Sequence, residues 1–118
     1  MLFRSYNCSS LQSIVIENNV KEIANHAFHG CQSLQSVVLG NGVTKIGNQA
    51  FDGCTSLQSI YYNGTQSEKQ AILTNIGSYN TCLTNATWYY YNQNTSETVA
   101  GNYWYYDNEG NIQTFIIA

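Results

Sequence analysis

Apolar and polar positions recur at a fixed interval along the first half of the chain, in copies that open at Cys8, Cys31 and Cys54. The segment CSSLQSIVIENNVKEIANHAFHG, beginning at Cys8, lies over CQSLQSVVLGNGVTKIGNQAFDG, beginning at Cys31, with 13 of 23 positions identical. A third copy opens at Cys54 as CTSLQSIYYNG and then diverges. The apolar set repeats as Leu11/Leu34/Leu57, Ile14/Val37/Ile60 and Ile16/Leu39/Tyr62, followed by Val20/Val43, Ile23/Ile46, Ala27/Ala50 and Phe28/Phe51. A fixed period of this length marks a stacked repeat architecture.

Each unit contains two local patterns. Ile14-Val15-Ile16 and its counterparts are apolar with alternating faces, which predicts a short strand. The stretch from Val20 to Phe28 is too short for a stable helix. It reads as a second extended piece followed by a tight, 3₁₀-like turn ending at Gly30 or Gly53. No unit can bury its Leu, Ile and Phe alone. Stacking equivalent turns at about 4.8 Å buries them as ladders and pairs the strands in parallel. Outward ladders then follow: Gln12/Gln35/Gln58, Val15/Val38/Tyr61 and Glu17/Gly40/Asn63.

The second half has a different pattern. Residues 66–76 (QSEKQAILTNI) predict a helix with Ala71, Ile72 and Ile76 on one side, and Thr87–Tyr91 predicts a strand. Tyr103–Tyr106 and Ile112–Ile117 flank Asp107-Asn108-Glu109-Gly110, a hairpin turn in which glycine supplies a positive φ. An open end of a repeat stack exposes apolar side chains and an unpaired strand edge. The expected organisation is therefore one domain, with repeats over 1–63 and a C-terminal cap over 64–118 that is continuous with them. Residues 1–7 read as the end of a preceding repeat, with Phe3 two residues out of register with Phe28 and Phe51.

The string LQSIVIENNVKEIANHAFHGC resembles the BspA-like leucine-rich repeats of bacterial and some protist surface proteins. Their pattern runs Leu, Ile, Ile on one strand, then Val, Ile-Gly, Ala-Phe and Cys. The second copy matches fully, with Ile46-Gly47 and Ala50-Phe51, whereas the first has Ala24 where the family favours Gly. IYYNGTQSEKQAI resembles the closing segment of such repeats, with Lys69 where an aromatic often stands. TCLTNATWYYY and GNYWYYDNEGN resemble the strand and hairpin that follow it. The resemblance implies a leucine-rich-repeat-like right-handed solenoid, mainly β, with short parallel strands, short helical turns and a β-hairpin cap. It also implies a cell-surface or secreted location, and attachment to host proteins or other cells with no reaction performed.

Composition narrows the partners. The formal charge is -3 with only four Lys plus Arg among 118 residues, which argues against nucleic acid or an anionic membrane, since either needs a basic patch. No apolar run approaches the roughly 18 residues of a membrane span. The start, MLFRSYNCSS, lacks the layout of a secretory signal, which also fits a piece of a longer exported chain.

Candidate chemistry is sparse. Cys8, Cys31 and Cys54 share one inward repeat position and read as buried thiols outside any disulfide, while Cys82, outside the register, reads as the most accessible. His26, His29 and Cys31 have some metal flavour, but Gln49 and Asp52 replace the histidines one turn later, so the pair reads as variable surface. Asp107, Glu109 and Asn111 lack the further carboxylates of a calcium loop. The sequons at Asn7, Asn63, Asn85 and Asn94 arise by composition in a chain rich in Asn, Ser and Thr. No catalytic constellation, metal site or cofactor motif is expected. The expected function is a non-catalytic binding module for an extracellular or host protein, using Gln12, Val15, Gln35, Val38, Gln58 and Tyr61 on the strand face, with Tyr61 as the anchor. The rivals are a carbohydrate-binding module whose Trp88, Tyr90, Tyr103 and Trp104 stack on sugar rings, and a structural spacer.

Overall fold

The alternating triplets at the start of each unit form strands, and the pieces after them form a second set. The computed structural model describes residues 2–3, 8–93 and 99–118. Its strands are β1 (Leu2–Phe3), β2 (Ser13–Ile16), β3 (Glu22–Ile23), β4 (Ser36–Leu39), β5 (Lys45–Ile46), β6 (Ser59–Tyr62), β7 (Thr87–Tyr91), β8 (Gly101–Tyr106) and β9 (Ile112–Ile117). Two helices, α1 (Gln66–Thr74) and α2 (Thr81–Asn85), lie between β6 and β7.

Among the described residues the strands assemble into two open sheets. One has the order β1-β3-β5, the other β2-β4-β6-β7-β8-β9. β2, β4 and β6 pair in parallel and in repeat register, Ile14 with Val37 and Val37 with Ile60. That is the arrangement the repeat period predicts. Of the inward positions, Ile16, Leu34, Val37, Leu39 and Ile60 are fully buried, whereas Leu11, Ile14 and Leu57 are half-buried. Phe28 and Phe51 stack on each other with ring centroids 5.2 Å apart. The tight turns close on glycines in the left-handed region, Gly30 at φ 78° and Gly53 at φ 80°. Gly47 serves a different need, because a Cβ there would run into the backbone nitrogen of Asn25 on the preceding turn.

The large sheet runs on beyond the regular repeats. β7 pairs in parallel with β6, Ser59 opposite Thr87, whereas one turn earlier Ser36 stands opposite Ser59. This turn is therefore longer than the regular ones. The small sheet continues through a single parallel bridge from Ile46 to Ile76. The extra length is taken up by α1 and α2. α1 starts on a capping box, in which the Thr65 hydroxyl accepts from the Glu68 N–H and the Glu68 carboxylate accepts from the Thr65 N–H. It ends at Thr74, before the predicted boundary, because Ile76 is drawn into the bridge. Of its predicted apolar side, Ile72 is buried and Ile76 half-buried, but Ala71 faces solvent. The sequence patterns do not anticipate α2, which buries Leu83.

Asn80 joins this longer turn to the stack. One turn earlier the Phe28 N–H donates to the Ala50 carbonyl. At the equivalent step the Phe51 N–H donates instead to the Asn80 side-chain oxygen at 3.0 Å, and the Asn80 amide donates to the Gly47 and Gly77 carbonyls. A buried carboxamide thus replaces the backbone of a missing regular turn.

β8 also pairs in parallel with β7, and β9 returns antiparallel to β8 as the sheet edge. The hairpin turn between β8 and β9 is organised by Asp107, whose carboxylate accepts from the Glu109 and Asn111 N–H groups and from the Gln113 amide. These bonds hold its carboxyl below the usual range. At the other end, β1 pairs Phe3 with Ile23, so Phe3 aligns with the Ile23/Ile46 ladder and not with the phenylalanines. The rest of residues 1–7, and the sequons at Asn7 and Asn94, lie outside the described residues.

Candidate functional site

Of the residues expected to bind, Val15, Val38 and Tyr61 lie on the outward face of the large sheet, and Gln12, Gln35 and Gln58 each stand one residue before its strands β2, β4 and β6. Gln12, Gln35 and Gln58 are exposed. They are held in line by the Gln35 N–H donating to the Gln12 carbonyl and the Gln58 N–H donating to the Gln35 carbonyl. Beside them run Val15, 52% exposed, and Val38 and Tyr61, both half-buried. The face therefore becomes more covered towards Tyr61.

The cover is aromatic. Tyr61 stacks on Tyr89, its register partner on β7, at 5.4 Å between centroids, and lies 5.9 Å from the Trp104 ring. Trp104 is 2% exposed and donates its indole N–H to the Tyr62 carbonyl at 2.7 Å. Tyr91 and Tyr106 flank it, with centroids 5.2 and 5.1 Å away and planes inclined at 72° and 84°. Both tyrosines remain about two-fifths exposed. Between this cluster and the first two turns lies a groove of about 340 Å³, with Val15 and Val38 on one side, Tyr91, Trp104 and Tyr106 on the other, and Glu17 among its polar residues.

Tyr89, Tyr91 and Tyr106 belong to this face although sequence reasoning missed them. The alternation in Thr87–Tyr91 was a signal that Tyr89 and Tyr91 share a side, but the lengthened turn before it conceals which side. The proposed sugar platform does not form: Trp88 and Tyr103 are buried, Trp104 is covered, and Tyr90 is half-buried. Trp88 and Tyr103 are spent on internal bonds, the indole donating to the Leu83 carbonyl and the phenol to the Val99 carbonyl.

The chemically suggestive residues elsewhere are occupied. None of the four cysteines is in a disulfide; Cys31 and Cys54 are buried, and Cys8 and Cys82 are both half-buried, so Cys82 is not singled out. Burial pushes the Cys54 thiol up to about 12. His26 bonds Gln49 at 2.6 Å, and His29 sits 3.6 Å from Asp52. Cys31 points away from them into the core. Among the described residues no three His, Cys, Asp or Glu side chains converge. Lys69 rests over the Trp88 ring, 5.0 Å from its centroid.

A family model described as "BspA type Leucine rich repeat region (6 copies)" matches residues 3–117. The chain belongs to the BspA-type leucine-rich repeat family. The match spans the tail as well as the regular turns, in keeping with β7 and β8 extending the parallel sheet. BspA-like leucine-rich repeat proteins are typically surface repeat proteins and generally non-catalytic, and repeats of this kind mediate protein–protein interaction. Comparison with curated proteins and with solved structures returned no match. No helix among the described residues of this BspA-type chain is long and apolar enough to cross a membrane.

Proposed function

We propose that this chain is a segment of right-handed solenoid that binds a protein on a cell surface or in the extracellular space and performs no reaction. The observation that supports this reading most is the continuous outward stripe Val15–Val38–Tyr61–Tyr89, lengthened by Tyr91 and rimmed by the Gln12/Gln35/Gln58 ladder. An exposed apolar stripe edged by polar groups is a typical interaction surface, and tyrosines anchor it with little rotamer entropy to lose. The burial of Trp88, Tyr103 and Trp104 weighs against the glycan reading.

The test is binding of the chain to an array of extracellular-matrix and cell-surface proteins beside a glycan array. Saturable capture by a protein, weakened by Val15→Glu and Gln35→Ala, is the expected result. Capture unaffected by both substitutions, or by glycans alone, would overturn the strand face as the binding surface.

A further inference from the structure

The groove on the strand face has a chemical preference of its own. Its base is Trp104, immobilised by the bond to the Tyr62 carbonyl. Tyr91 and Tyr106 stand steeply to that ring, so neither lies flat beside it as a platform. The opposite wall is aliphatic, from Val15 and Val38. Among the described residues, Glu17 is the one charged side chain lining the groove, and the lining holds no Lys, Arg or His. Asn18 and Asn63 close the polar end, tied together by the Asn63 amide donating to the Asn18 oxygen at 3.1 Å.

Ring faces carry the negative part of the aromatic quadrupole. A carboxylate beside the two exposed rings, Tyr91 and Tyr106, makes a slot that repels anions and attracts cations. We propose that this groove takes a basic side chain of the protein partner, an arginine or lysine whose stem lies along Val15 and Val38 and whose cationic head reaches Glu17 and the rings. The match is one of charge and shape together: a long cationic side chain has an apolar stem and a charged tip, as this slot has an apolar wall and an acidic end. A sugar ring needs an accessible flat aromatic face, and Trp104, 2% exposed, offers none. At about 340 Å³ the groove is at the small end of ligand sites, sized for one side chain rather than an oligosaccharide. On the opposite side of the sheet, Lys69 over Trp88 is the same pairing made within the chain.

This inference names the partner chemistry of the strand face and rests on that reading. Its test uses the whole chain, titrated at low salt with N-acetylarginine amide, with its uncharged isostere N-acetylcitrulline amide, and with methyl β-glucoside. The readouts are Trp104 indole N–H shifts and tryptophan fluorescence. Arginine amide is expected to shift the Trp104 signal saturably, with Glu17→Gln weakening it roughly threefold to tenfold. Glu17 is exposed and Glu17→Gln preserves the fold, which circular dichroism verifies. Citrulline amide binding as tightly as arginine amide, or glucoside binding while arginine amide does not, overturns the proposal. So does an array partner whose Val15→Glu-sensitive capture survives neutralisation of its arginines and lysines, a result that leaves the strand-face reading standing.

Discussion

Leu34 and Gln35 are adjacent in sequence and opposite in environment, the first fully buried and the second exposed. Leu34→Ala is expected to cost about 2–5 kcal/mol, because the turns on either side cannot collapse into the cavity. Gln35→Ala should shift the urea midpoint far less, and equal shifts would mean that the inward and outward assignment is wrong. Cys54 and Tyr62 give a second residue-level handle. Burial raises both groups to about 12, so the folded chain keeps protons that the unfolded chain releases at lower pH. Their contribution to stability is complete below the ordinary thiol range and is lost as the pH rises towards 12. Urea midpoints should therefore fall through this alkaline window, and Cys54→Ala should flatten part of the fall. A midpoint that rises there would contradict the burial of both groups.

Between elements, the decisive junction is where α1 and α2 replace a regular turn. Asn80 supplies three hydrogen bonds there, two of them fully buried. Asn80→Ala strands the Phe51 N–H and leaves the Gly47 carbonyl with the Ala50 N–H as its remaining donor, at a cost of roughly 1–3 kcal/mol. Asn80→Asp keeps the acceptor and loses the donor, so it should fall between the wild type and Ala; thermal unfolding orders the three. The helix start at Gln66 was legible in the sequence, whereas the early stop at Thr74 was not. The stop depends on Ile76 pairing with Ile46, a contact between parts of the chain that are distant in sequence.

At the scale of the molecule the cysteines report how turns stack. Equivalent side chains point the same way on successive turns, so Cys8, Cys31 and Cys54 form a ladder of thiols and not a disulfide. Intact mass after alkylation in denaturant, without reductant, should show four modified cysteines. In the native state Cys8 and Cys82 should react first, and Cys31 and Cys54 only at the rate of unfolding. Rapid native labelling of Cys54 would show that its turn opens separately from the rest of the stack.

The repeat period by itself determined the parallel pairing of β2, β4 and β6, the inward ladders, and the glycine turns at Gly30 and Gly53. The reason is that a repeated side-chain pattern can bury itself only against its own copies in register. It also placed Val15 and Val38 outward, since strand alternation opposes them to Ile16 and Leu39, whereas Gln12 and Gln35 stand one residue before the strands as polar repeat positions. What the tertiary structure decided begins where the period breaks. Whether Thr87–Tyr91 would cap the sheet or continue it depended on how the chain folds between Ser59 and Thr87, and no local pattern encodes that path. The same pairing sorted the tail aromatics, sending Trp88 and Tyr103 into the core and gathering Tyr89, Tyr91, Trp104 and Tyr106 outside. Alternation separates odd from even positions along a strand, but only the neighbouring strand determines which set meets water.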